Sequence, residues 1–224
     1  MVLVLYVRCV KMSILILVRH GEAQNNTKDV LTSSIKGYPL TKRGIEQSEM
    51  TASQLKTIKV SAIFSSPLER TMQTAKIINR YHGMDIKVDA RLRELSFGRL
   101  EGSSAMKGLW ETEMLRSRKL ERSMEKGAAI AARMSSFLRA LPDEGTYIAV
   151  THQSCIDNTL RKIIGLDEFS GTGISVKNAT TTAIEKAQGR LRILAIGSFS
   201  VDNRYLTLLK SRHGGNVSVS SKHF

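Results

Sequence analysis

Arg19, His20 and Gly21 follow directly on the apolar run "SILILV", Ser13–Val18. Two other places in the chain have the same form. "SAIFSS" (Ser61–Ser66) leads at once into a helix opening that carries Arg70, and "YIAVT" (Tyr147–Thr151) runs straight into His152. A guanidinium suits phosphate oxygens, because its planar fork donates two parallel hydrogen bonds and keeps its charge at every relevant pH. A histidine in such an anion site has a specific option. If a backbone carbonyl holds one ring nitrogen protonated, the other keeps its lone pair and can attack phosphorus. The glycine after His20 allows a tight turn that would bring such a carbonyl to the ring. The product is a phosphohistidine, discharged by water or by a second acceptor. Some carboxyl group beside the dianion must also protonate the departing alkoxide. A single histidine or arginine after a strand is weak ground. Its repetition at three strand ends is what carries the reading.

Those strand ends can meet only if the strands run parallel. "SILILV" and "SAIFSS" are short apolar runs of the kind buried on both faces of a sheet. Between them, Thr41 to Lys56 has Ile45, Ser48 and Glu49, Ala52 and Leu55 at helical spacing, with Thr41 as N-cap. After the second run, Ser66 is the expected N-cap, Pro67 the first helical residue and Glu69 the reciprocal member of a capping box. Leu68, Met72, Ala75 and Ile78 then share one face. The helix after His152 carries Ile156, Leu160, Ile163 and Ile164 and stops at Gly165. "ATTTAIEKA" and "RLRILAIG" read as two late strands joined at Gln188-Gly189. Strands alternating with helices imply an α/β fold, a three-layer α/β/α sandwich on a mainly parallel sheet. In such a sheet the three C-terminal strand ends lie along one edge, where helix N-termini add backbone N–H donors. The expected organisation is one domain, 1–224. It has an extension at 1–11, a helical insertion over the sheet's C-terminal edge at about 102–130, and a loose tail at about 210–224.

Composition limits what else the chain does. Its 224 residues are 42% hydrophobic and 24% charged, as in an ordinary globular protein. Aromatics are 5%, with Trp110 the one tryptophan, too few for a base-stacking platform. Lys+Arg is 34 against 20 for Asp+Glu, a net +14 that favours anionic partners without naming one. Arg116, Arg118, Lys119, Arg122 and Lys126 alternate with acids, as on a solvated helix face, so no specific nucleic-acid partner is expected. Cys9 and Cys155 form neither a CxxC pair nor a disulfide framework, which suits a reducing, cytoplasmic compartment. The apolar N-terminus is broken by Arg8 and Lys11, short of the ~20 residues a membrane span needs, and it lacks a cleavage signal. No membrane partner is expected. No His/Asp/Glu cluster has metal-ligand spacing, and no cofactor is expected.

The sequence resembles the histidine phosphatase superfamily, the phosphoglycerate mutase-like fold. The resemblance rests on "LVRHGEAQNN" (Leu17–Asn26), "GYPLTKRG" (Gly37–Gly44), "FSSPLERTMQTA" (Phe64–Ala75), "LRELSFGRLEG" (Leu92–Gly102) and "VTHQSCIDNTL" (Val150–Leu160). "NATTTAIE" (Asn178–Glu185) is similar to the family's late strand. It implies that His20 is the nucleophile and that Arg19, Arg70 and His152 surround the transferring phosphoryl group. It also implies that Asn26 contacts phosphate and that Glu94 is the proton donor, the carboxyl the chemistry requires. Glu22 and Glu69 are expected in ion-pair or capping roles.

"RELSFGRLEG" looks like the broad-range phosphatases of the family rather than the mutases, whose corresponding segment is "ERHYG"-like. Where many of these phosphatases have Gly-Glu-Ser, this chain has "KGAAIAAR" (Lys126–Arg133), which removes an acidic residue from that region. The implied function is a metal-independent phosphomonoesterase acting on small phosphorylated metabolites through a phosphohistidine. A bisphosphoglycerate-dependent mutase is the alternative that Arg116, Arg118 and Lys119 keep open, since a carboxylate-bearing substrate needs extra cations. A non-catalytic polyanion-binding protein on the same scaffold comes third, because such scaffolds usually lose the nucleophile or an arginine. The sequence leaves substrate identity and homo-oligomerisation open.

Overall fold

The computed structural model describes residues 11–104, 123–166 and 173–198. The expected extension and tail, and most of the expected insertion with Arg116, Arg118, Lys119 and Arg122, lie outside these residues. Six strands form one sheet: β1 (Met12–Arg19), β2 (Ala62–Ser65), β3 (Ile86–Val88), β4 (Gly145–Thr151), β5 (Thr181–Ala187) and β6 (Arg190–Ser198). Their spatial order is β3-β2-β4-β1-β5-β6. β1 to β4 run parallel, β5 is antiparallel to β1, and β6 is antiparallel to β5. The helices are α1 (Gln24–Thr27), α2 (Lys42–Leu55), α3 (Glu69–Asn79), α4 (Gly127–Ala140) and α5 (Gln153–Ile164). Among the described residues, no helix is long and apolar enough to cross a membrane.

β1 shows why its sequence is apolar without alternation. Leu15 and Leu17 join a core with Ile130, Phe137 and Ile156 of α4 and α5. Ile14, Ile16 and Val18 point the other way, into a core with Ala52, Leu55, Ala75 and Ile78 of α2 and α3. A strand covered on both faces needs apolar residues at every position. The result is the expected three-layer α/β/α arrangement on a mixed sheet.

Local signals mostly hold. Thr41 caps α2 by accepting from the Gly44 amide at 3.0 Å. Gly165 ends α5 in the left-handed conformation, with φ 76°. Gln188 and Gly189, both at positive φ, make the two-residue turn between β5 and β6. Three expectations are corrected. α3 begins at Glu69 with Leu68 as N-cap, not at Pro67 with Ser66 as N-cap. The Ser66 hydroxyl is 3.4 Å from the Leu68 amide and faces His152 instead, while the Glu69 carboxylate accepts from the Gly37 amide. Ile45 and Ile164, placed on apolar faces by spacing, are about half exposed, Ile164 as the last residue of α5. α4 and the short, largely exposed β3 have no counterpart in the sequence reading.

The register places the site. Arg19 pairs with Thr151 across β1 and β4, and Ser65 pairs with Val150 across β2 and β4. One residue further, the His20 amide donates to the Thr151 carbonyl at 3.1 Å, and the Ser66 amide to the Val150 carbonyl at 3.0 Å. His20, Ser66 and His152 therefore leave the sheet side by side.

Candidate active site

His20 is 2% exposed, and its two ring nitrogens have partners of opposite kind. Nδ1 lies 2.7 Å from the Gly21 carbonyl, which can only accept. Nε2 lies 3.2 Å from Nε–H of Arg70, which can only donate. The proton therefore sits on Nδ1, and the Nε2 lone pair faces the arginine. Burial, then the charges of Arg70 and Arg19, hold the ring well below the ordinary histidine range, against a smaller raising effect of the Gly21 carbonyl. The ring is neutral at physiological pH.

A backbone carbonyl, that of Gly21, does reach the His20 ring as the sequence suggested, but not through a conformation reserved for glycine. The φ of Gly21 is not among the positive ones. A Cβ there would lie 2.3 Å from the Gly44 carbonyl and 2.6 Å from Ser48 Oγ. Gly44 is equally confined, with the Glu22 carbonyl 1.9 Å from its would-be Cβ. Two glycines thus let the strand-end loop lie directly on α2, and Gly21 is fixed further by its amide donating to Thr74 Oγ1 at 3.1 Å.

Arg70 is also 2% exposed; besides meeting His20, it donates through Nη2 to the Thr32 carbonyl at 3.0 Å. Glu101 fixes that loop by accepting from Thr32 Oγ1 and from the Ser33 amide and hydroxyl. Arg19 donates through Nη1 to the Val176 carbonyl at 2.6 Å. Burial lowers the pKa of both arginines, and the Glu94 carboxylate opposes it. Both stay charged, since a guanidinium starts so far above neutrality.

Behind His20 lies His152, fully buried, with ring centroids 5.2 Å apart in an edge-to-face arrangement. Its Nε2 is 2.9 Å from Ser66 Oγ, and its Nδ1, without a hydrogen bond, faces Glu94 Oε2 at 3.8 Å. Burial, and then the positive charge of Arg70 and the smaller effects of Arg133 and Arg19, hold this ring well below the ordinary range too. Glu94 Oε1 accepts from the Leu95 amide at 2.9 Å and from the Ser154 hydroxyl, which leaves Oε2 as the oxygen nearest His152.

A cleft of about 660 Å³ opens in front of these groups, and Arg19, His20, Asn26, Arg70 and Glu94 all line it. His152 is not part of the lining. Asn26 turns Oδ1 to the Ala23 amide at 3.0 Å, and Asn178 donates to the His20 carbonyl at 3.0 Å. Ser66, Ser154, Gln153 and Asn178 were not singled out for the site by sequence. Ser66 was assigned to a cap, and the others carry no charge that would set them apart. Glu125 also lines the cleft, and Arg133 holds it through Nε at 2.8 Å and Nη2 at 3.1 Å, so an acidic group reaches the region where "KGAAIAAR" suggested none. Among the described residues no cluster of three His, Cys, Asp or Glu side chains is placed to hold a metal ion.

Comparison with known proteins gives a consistent picture. The family model for the histidine phosphatase superfamily (branch 1) matches residues 15–198. A 2,3-bisphosphoglycerate-dependent phosphoglycerate mutase of Thermoplasma acidophilum is 32% identical over 203 residues, covering 88% of this chain and 100% of that protein. A probable phosphoglycerate mutase of Escherichia fergusonii is 31% identical over 180 residues, covering 75% and 83%. In structure, a phosphoglycerate mutase of Bacillus anthracis superposes with a TM-score of 0.71 at 20% identity, over 90% of this chain and 98% of that one. A putative alpha-ribazole-5'-P phosphatase of Escherichia coli superposes with a TM-score of 0.70 at 22% identity, over 84% and 97%. At these identities the structural likenesses speak for the fold. With the family model spanning most of the sequence, the chain belongs to the histidine phosphatase superfamily, branch 1.

Proposed function

We propose that the chain is a metal-independent phosphomonoesterase for small phosphorylated metabolites, working through a phosphohistidine on Nε2 of His20. The observation that carries this is the fixed tautomer: Nδ1 held by the Gly21 carbonyl, Nε2 facing the guanidinium of Arg70. Arg19 and Arg70 grip the phosphoryl oxygens and Asn26 adds a contact, while His152 supports the group from behind His20. As the Nε2–P bond forms, the bond from phosphorus to the ester oxygen breaks, and Glu94 gives that oxygen its proton. Water then attacks phosphorus, Glu94 takes the proton back, and the P–N bond breaks to release phosphate. Two arginines supply here the transition-state charge stabilisation that metal ions supply elsewhere.

The mutase reading is favoured by the sequence relatives, the match over the whole of the Thermoplasma acidophilum mutase and the match to the probable mutase of Escherichia fergusonii. The described lining of the cleft sets Arg19 and Arg70 beside Asp29, Glu125 and Asp157, while Arg116, Arg118 and Lys119, the further cations a carboxylate-bearing cofactor would call on, lie outside the described residues. The test is incubation with 3-phosphoglycerate and with an aryl phosphate, with and without a chelator. Free phosphate without 2-phosphoglycerate, insensitive to chelation and abolished by His20→Ala, is the expected result. Formation of 2-phosphoglycerate ahead of phosphate would replace this reading with the mutase. A folded His20→Ala variant hydrolysing at the wild-type rate would refute the mechanism.

A further inference from the structure

Arg19 has few attachments for a buried cation. Its Nη1 donates to the Val176 carbonyl at 2.6 Å and to Gln153 Oε1 at 3.4 Å, and its buried Nε has no hydrogen-bond partner. The direction of its guanidinium therefore depends on where Val176 sits. Val176 belongs to an irregular segment, residues 173–180, that leads into β5 without helix or strand hydrogen bonds of its own.

Side chains of α5 supply what that segment lacks. Gln153 Nε2 donates to the Ile174 carbonyl at 2.6 Å, and Gln153 Oε1 accepts from the Val176 amide at 3.0 Å. Asp157 Oδ1 accepts from the Ile174 amide at 2.7 Å. Gln153 and Asp157 are four residues apart and so share one face of the helix. Between them they satisfy both polar groups of Ile174 and the amide of Val176, as a neighbouring strand would. Only the Val176 carbonyl remains, and Arg19 takes it.

We propose that Gln153 and Asp157 are positioning residues, a clasp that sets the Val176 carbonyl and through it aims Arg19 at the phosphoryl group. The proposal rests on the anion site described above and adds to it a means of orientation. Gln153 sits at the first position of α5, where a plain helix-start role would also be satisfied, so the test must separate the two. In the clasp, all of Gln153's influence on the reaction passes through Arg19.

The experiment is a double-mutant cycle of Gln153→Met, which keeps volume but loses the three hydrogen bonds, with Arg19→Ala. The readouts are kcat/KM for an aryl phosphate and the affinity for orthovanadate by isothermal titration. Loss of an anchor to a charged group predicts about a tenfold fall in both for Gln153→Met at unchanged melting temperature. In the Arg19→Ala background the same substitution changes kcat/KM less than twofold. A wild-type kcat/KM in Gln153→Met, or a further tenfold loss in the double variant, would overturn the clasp. Should the wild-type protein hydrolyse no phosphate ester, the phosphatase reading fails, while orthovanadate titration of wild type and Gln153→Met still decides the clasp.

Discussion

Mild acid should unfold this protein through its two site histidines, and the structure sets the scale. His20 is 2% exposed and His152 0%. Burial, and then the charge of Arg70, keep both neutral in the fold well below the usual histidine pKa. A proton on His20 Nε2 would also point at the Nε–H of Arg70, setting two donors face to face. In the unfolded chain both rings take up protons near the ordinary value of about 6.5. Below that pH the unfolded state binds more protons than the native state, so stability is complete above about 6.5 and falls with acidification. Each histidine contributes a slope approaching about 1.4 kcal/mol per pH unit, so the pair approaches about 2.7 kcal/mol. Against a total of about 5–15 kcal/mol for a typical domain, one or two pH units are decisive. Urea unfolding of wild type and His20→Gln at half-unit steps from pH 7.0 to 5.0 reads this out. The variant should lose stability with a slope shallower by about 1.4 kcal/mol per unit, the share of one histidine. Parallel slopes in the two proteins would show that His20 is not held neutral and would refute the reasoning.

Three other outcomes are expected. Gly21→Ala forces a Cβ to within 2.3 Å of the Gly44 carbonyl, a backbone group that cannot swing aside, and should cost about 1–3 kcal/mol in urea unfolding; wild-type stability would mean that the loop is not pressed on α2 as described. Glu94→Gln removes the proposed proton donor but no arginine, so kcat should fall by about 10²–10⁴ while orthovanadate still binds; loss of the anion affinity instead would make Glu94 a structural support of the arginines. Ser66→Ala takes the one hydrogen bond from His152, whose Nδ1 already has none, and should lower the urea midpoint by an amount equivalent to about 1–3 kcal/mol. An unchanged midpoint would count against a role for that hydroxyl.

The parts that could be read from sequence were those fixed by local chemistry repeated in space. Three apolar runs, each ending in a cationic or imidazole side chain, were enough to infer parallel strands with one common edge, and β1, β2 and β4 do end together there. What could not be read was set by close approach or by distant partners. The confinement of Gly21 comes from Gly44, whose place on α2 no spacing rule gives. Ser66 satisfied every local rule for a helix cap, yet its hydroxyl faces a histidine 86 residues away. β3 has three residues, two of them exposed, too few to form a pattern. α4 hides for the opposite reason, since its alanine-rich opening has no strong polar face, although Ile130, Met134, Phe137 and Leu138 line one side.

The two arginines share an arrangement by which the proposed anion site can be rigid without a carboxylate set directly on either guanidinium. Each guanidinium is held from behind by one backbone carbonyl, Thr32 for Arg70 and Val176 for Arg19. Each carbonyl belongs to an irregular loop clasped by remote side chains, Glu101 in the first case and Gln153 with Asp157 in the second. A carboxylate placed directly on either arginine would fix it more strongly, but it would also neutralise the charge on which the proposed phosphoryl site depends. A neutral carbonyl orients without neutralising and consumes one of five donors. The carboxylates of Glu101 and Asp157 act on the loops, fixing the segments whose carbonyls orient the arginines. Preorganised donors of this kind need no rearrangement as charge builds on the phosphoryl oxygens, which is the condition under which electrostatic stabilisation lowers a barrier rather than merely tightening binding.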